Sequence, residues 1–190
     1  VFEFEHISHL LEEKTHQTVL EVNLNAVTHN LNVYKQMLGP TVKLMAMVKA
    51  FSYGSGSFEI ANLLQFHHVD YLAVAYTDEG VELRKAGITL PIMVMNAEEV
   101  NFDMLVAYNL EPELFSLGIL NNFEAYLKQA GITHFPVHLK LDTGMHRLGF
   151  EEKDIDALCN ALVATQVFKV QSVFSHLAAS DSARHDDFTK

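Results

Sequence analysis

The 190-residue sequence predicts an α/β fold of the (β/α)8 TIM-barrel type, truncated to about six βα units. Short runs rich in Val, Leu, Ile and Met recur at 43–49, 71–75, 91–95, 110–115, 137–142 and 170–176, each of strand length. Helical patterns separate them, and that alternation calls for a parallel sheet covered by helices. A complete barrel takes about 250 residues, so six units running from residue 43 to the end leave about two missing. The alternation alone also suits a doubly wound sheet, and the family resemblance described below is what implies the barrel.

In chain order, residues 1–17 are polar and charged, stand outside the βα rhythm, and read as a linker or the tail of a preceding domain. A helix is expected at 25–38, with Asn25 as N-cap and Val27, Leu31, Tyr34 and Leu38 on one face. Ser57, Thr77, Asn96 and Ser116 stand where further helices would be capped, and Gly87 and Gly131 where helices would stop. The closing SDSARHDDFTK reads as the polar opening of another helix, cut short mid-fold. No low-complexity tract or further repeat is visible.

A hydrophobic content of 49% with 19% charged residues is that of a soluble domain with one sizeable core. The net charge of −11 argues against nucleic-acid or anionic-membrane partners, which need clustered Lys and Arg. The single cysteine, Cys159, cannot close an intrachain disulfide; it falls in an apolar helical pattern where a buried thiol is expected, and it suits a reducing, cytoplasmic setting. No run approaches the length of a membrane span. The histidines form no HxxxH or Cys/His set, so no metal site is expected.

Three segments carry groups able to do chemistry. In KLMAMVKAFSYGSG, Lys49 ends an apolar strand, where its stem lies among buried groups and its amine is a better nucleophile for losing solvent. Alone, it reads first as a lysine that snorkels to the rim. Tyr53, Gly54 and Gly56 follow on a loop leading into a helix, where backbone N–H groups and a phenol can meet an anion. In HLKLDTGMHRLGF, strand alternation sets His138, Lys140 and Asp142 on one face, and a buried ionisable face needs partners or a ligand. Arg147 follows on the strand-end loop, where a guanidinium can reach a phenolate or carboxylate oxygen. The plain alternative is an ion-pair network with a surface arginine. In VFSHLAASD, His176 ends another strand; alone it reads as a hydrogen-bonded structural histidine.

Taken together and in this order, these segments resemble the cofactor-lysine, strand-end arginine and histidine motifs of alanine racemase, of the pyridoxal-phosphate barrel class, with similarity from about residue 18 to 190. The resemblance implies pyridoxal 5'-phosphate as cofactor, alanine as substrate and interconversion of its L and D forms for peptidoglycan precursors. It implies that Lys49 forms the Schiff base and acts as the base on the D-amino-acid face. Tyr53 would contact the phosphate, Arg147 the phenolic oxygen and substrate, and His176 the pyridine ring. Lys140 matches a position carbamylated in many members, with the carbamate holding the arginine. The opposite base would be a tyrosine from a C-terminal β-domain, absent here and reached across a homodimer, so the fragment alone is expected to turn nothing over. Ser55 departs from the histidine that many members carry between the two glycines. The opening FEFEHISHLLEEKTHQT resembles the join in bifunctional bacterial proteins that fuse a UDP-N-acetylmuramoyl-tripeptide–D-alanyl-D-alanine ligase to an alanine racemase. Competing readings are a pyridoxal-phosphate carrier barrel without turnover and an amino-acid decarboxylase on the same barrel; the pairing of KAxxYGxG with TGMxRLG favours the racemase.

Overall fold

The computed structural model of the chain describes residues 18–189, so the expected linker at 1–17 lies outside the described residues. Six parallel strands form one sheet in sequence order: β1 Met45–Met47, β2 Tyr71–Val74, β3 Ile92–Val94, β4 Glu111–Leu114, β5 Phe135–Leu141 and β6 Phe168–Ser175. All six overlap the predicted runs, with β5 and β6 each beginning two residues earlier than expected. Helices join them: α1 Leu24–Met37, a short turn α2 Lys49–Gly54, α3 Ser57–Phe66, α4 Thr77–Lys85, α5 Phe102–Ala107, α6 Leu117–Gln129, α7 Ile155–Ala164 and α8 Asp186–Thr189. Sequential parallel strands with helical crossovers make this a TIM-type barrel wall, and residues from β1 and β6 line a shared cavity, so the sheet curls.

Side-chain alternation divides the sheet into two faces. Leu72, Val74, Ile92, Val94, Leu114, Val137 and Leu139 pack outward into the core beneath the helices. On α6, Leu120, Phe123 and Leu127 recur at helical spacing and are fully buried, with Phe123 stacked on Phe168, edge-on to Phe135 and tilted against Phe102.

The inner face is polar on its later strands. Tyr71 donates to Glu111 Oε2 at 3.2 Å, and His138 Nε2 lies 2.9 Å from the same oxygen. A carboxylate only accepts, so Nε2 carries the proton and Nδ1 accepts from Ser172 Oγ at 2.7 Å. Burial and the Glu111 charge push the Tyr71 phenol up to about 12. Because the folded value lies above the usual tyrosine value of about 10, this group's contribution to stability is present below that value and lost as pH rises toward 12. Alkaline denaturation followed by circular dichroism should therefore show a stability loss between about pH 10 and 12 that Tyr71→Phe reduces. An identical alkaline limb in the variant would contradict this assignment.

Several local expectations need correction. The N-cap of α1 is Asn23, whose side chain accepts from Ala26 N at 3.1 Å, and Asn25 lies inside the helix. The buried stripe of α1 is narrower than predicted: Leu31 is buried, but Tyr34 is 61% exposed, because the helix packs chiefly along α3. Ser57 and Thr77 are first helical residues rather than caps, which are Gly56 and Tyr76. Asn96 does not cap a helix; its amide donates to Ala75 O at 3.2 Å across the strand ends. Ser116 does cap α6, through Ile119 N at 3.4 Å. Gly87 and Gly131 follow helices α4 and α6 with positive φ, as expected. Cys159 is exposed, because α7 buries its neighbour Leu158 and turns the next residue away.

Candidate active site

The chain leaves β1 through a turn of unusual hand. Ala50, Phe51, Ser52 and Tyr53 have φ of 51, 54, 52 and 56°, a left-handed helical turn built from residues with Cβ atoms. Such a conformation costs about 1–2 kcal/mol per residue, so the surroundings must hold it. Ser52 N donates to Val48 O at 3.0 Å and Gly56 N to Phe51 O at 2.9 Å, and Ser52 is buried. Glu79, in the first turn of α4, completes the clamp. Its carboxylate accepts from Ala50 N at 2.6 Å, Ala75 N at 2.7 Å and Tyr76 N at 3.1 Å. One side chain thus ties the residue after Lys49 to the end of β2 and the start of α4.

Lys49, the first residue of that turn, is half-buried rather than sunk in the core. It lines a cavity of about 170 Å³ with Met95, Asn96, Glu113, Lys140, Arg147 and Leu148. A larger, mostly apolar cavity of about 380 Å³ lies along the inner face, lined by Met45, Met47, Met93, Met95, Lys140, Ser172, Phe174, Ser175 and His176. Lys140 and Met95 border both. Three of the predicted site residues, Lys49, Lys140 and Arg147, therefore share one cavity, and His176 shares its neighbour with Lys140. Tyr53 is 68% exposed on the left-handed turn and lines neither.

The loop carrying Arg147 is closed by backbone geometry. Asp142 N donates to Phe150 O at 2.9 Å and Phe150 N to Lys140 O at 2.8 Å, so the loop returns to the strand it left. Asp142 shapes the interior by accepting from Gly144 N and His146 N, each at 3.0 Å. Those backbone donors, with His146 beside it, hold its carboxyl below the usual range. The sequence placed Asp142 with the lumen residues; its bonds show that it organises the loop.

Lys140 and Glu113 form a fully buried ion pair at 3.1 Å. Burial pushes the Glu113 carboxyl up, against the pull of Lys140 first and of Arg147 and His138 after it. Sequence reasoning missed Glu113, although Glu111 and Glu113 alternate on one face of EPEL as His138 and Lys140 do on the adjacent strand. Two ionisable alternations on neighbouring strands were the signal. Glu79 was also missed; its only mark was an acidic residue in a helix's first turn.

The profile of the alanine racemase N-terminal domain matches residues 22–190. The chain belongs to that family. It is 37% identical over 171 residues to an amino-acid racemase of Enterococcus faecalis, covering 88% of this chain and 23% of that protein. It is 36% identical over 166 residues to alanine racemase of Synechocystis sp., covering 85% of this chain and 44% of that one. Among solved structures, alanine racemase of Clostridium difficile 630 superposes with a TM-score of 0.82 at 33% identity, over 88% of this chain and 44% of that one. The enzyme of Corynebacterium glutamicum gives 0.79 at 30%, over 89% and 48%. The chain thus spans under half the length of the curated relatives described.

Within this family frame, Glu79→Ala should release the left-handed turn. Three charge-assisted backbone bonds are lost, so thermal or denaturant unfolding should show a loss of about 2 kcal/mol, with Glu79→Gln intermediate because its amide oxygen still accepts. A variant as stable as the parent would mean that the turn holds itself.

Proposed function

We propose that this chain supplies the cofactor-lysine part of an alanine racemase that interconverts L- and D-alanine with pyridoxal 5'-phosphate. The observation that carries the reading is the meeting of Lys49 and Arg147 in one small polar cavity that adjoins a larger apolar one. The residues suit that cofactor. Lys49 offers an amine for its aldehyde and Arg147 a guanidinium for its phenolic oxygen. The Met-lined cavity of about 380 Å³ has the size and apolar walls for a small aromatic ring. Gly54 and Gly56, both at positive φ, lead into the N-terminus of α3, where backbone N–H groups favour a phosphate, with Tyr53 alongside. His176 stands at the ring-side cavity.

When bound, the cofactor acidifies the substrate Cα–H by drawing electrons into its ring. Lys49 Nζ then takes or returns the Cα proton on one face, Arg147 orients cofactor and substrate, and the apolar wall limits water. Racemisation needs a second base on the other face; the family resemblance assigns it to a partner subunit's C-terminal domain, which makes the working enzyme a homodimer. The same reading places the product in peptidoglycan precursor synthesis in the cytoplasm. No helix among the described residues is long and apolar enough to cross a membrane. The relatives' names favour racemisation over decarboxylation or a carrier role.

The test is direct. The protein is loaded with pyridoxal phosphate, reduced with borohydride, digested and mapped by mass spectrometry, while D-alanine formation from L-alanine is followed in parallel. A pyridoxyl label on the Lys49 peptide is expected, with turnover of alanine only where the second base is also supplied. A label on another lysine, or none, would sink the reading.

A further inference from the structure

The buried partner of Lys140 is the feature that the reading above leaves unused. Glu113 comes from β4 and Lys140 from β5, two residues beyond the position paired with Glu113, and their side chains meet at 3.1 Å with Glu113 0% and Lys140 3% exposed. Both line the cavity that Lys49 and Arg147 share. The charge of Arg147 is felt at Glu113. The cationic groups that line the cavity with Glu113 are thus Lys140, Arg147 and Lys49, and the imidazole of His138 stands opposite Glu113 on β5.

We propose that Glu113 is a positioning residue: its carboxylate supplies the negative charge that holds Lys140 as an unmodified ammonium and draws Arg147 over the cavity. The family resemblance makes Lys140 a position where a carbamate could supply that charge. The geometry argues otherwise for this chain. Forming a carbamate joins a neutral amine nitrogen to the carbon of CO2 and releases a proton. With Lys140 Nζ 3.1 Å from the Glu113 carboxyl, the amine would have to give up its proton beside that group to begin the step. The product would also set a second anion against Glu113, which is itself 0% exposed, where like charges are costly to bury. One carboxylate encoded in β4 performs the task without the modification.

The inference rests on the cofactor-lysine reading for the purpose of Arg147, but its first test does not. The protein is equilibrated with 13C-bicarbonate and its carbon NMR spectrum compared with that of Lys140→Arg. No lysine carbamate resonance is expected in the parent, and one that disappears in Lys140→Arg would overturn the proposal. This arm needs neither the cofactor nor a Glu113 variant that folds. The second arm loads Glu113→Gln with pyridoxal phosphate and titrates the visible band of the bound cofactor. Removing the charge that places Arg147 beside the phenolic oxygen should move the midpoint of that titration by about one pH unit. A purely structural Glu113 would lower the melting temperature and leave the midpoint in place, and that result would also overturn the proposal.

Discussion

On the proposed function, Lys49→Ala made in a racemase that also supplies the second base is expected to lower the rate of alanine racemisation by about 10³-fold or more, the scale on which removal of a positioned proton-transfer group acts. On the same reading the change removes the amine proposed to hold the cofactor, so the borohydride-sensitive visible band should vanish together with the rate. Stability should hardly move, within about 1 kcal/mol, because Lys49 is half-buried and its substitution opens no core cavity. That separation is what makes the experiment informative. A racemisation rate and a visible band that survive in Lys49→Ala would transfer the role to another amine, and among the residues lining the same cavity the remaining lysine is Lys140.

The second large effect is expected at Gly149. It closes the Arg147 loop with φ +136°, and a Cβ there would stand 2.5 Å from Asp142 N, 2.6 Å from the Leu141 carbonyl carbon and 3.0 Å from Asp142 Cα. All three are backbone atoms of β5 and its immediate extension, so no side-chain rotation relieves the clash. Gly149→Ala must strain the backbone, at about 1–3 kcal/mol, or break the pair of bonds joining Phe150 to Lys140 and Asp142, at about 1 kcal/mol each. A total near 3 kcal/mol should appear as a lowered denaturation midpoint, with weaker cofactor binding as Arg147 loses its place. Gly87→Ala is the control. Its φ is also positive, at +93°, but nothing lies within 4 Å of the added carbon, so its loss should be closer to 1 kcal/mol. Equal losses at the two sites would show that conformational strain alone, rather than the close approach to β5, decides the matter.

The alternation of strands and helices was legible because each strand is a short apolar run and each helix shows apolar spacing against the sheet. The site was legible in part. Lys49 and Arg147 are marked by motifs local to their strand ends, KAFSYG and TGMHRLG, and His176 by its place after β6. Asn25 and Asn23 illustrate the limit on local signals: both are suitable caps two residues apart, and only backbone geometry selects Asn23. Cys159 shows the same limit for burial, since helical spacing gives a face but not which face the neighbours cover.

By itself, then, the sequence determined the βα order, the inward polar face of β5 and the short motifs that name the family. Tertiary structure alone decided which distant groups answer those motifs. Glu79 is 29 residues from the Ala50 amide it clamps, and Glu113 meets Lys140 because β4 and β5 pair in parallel with Glu113 opposite His138. Periodicity reports what a residue's own segment prefers, whereas a buried charge is settled by whatever the fold brings against it, and that contact has no signature along the chain.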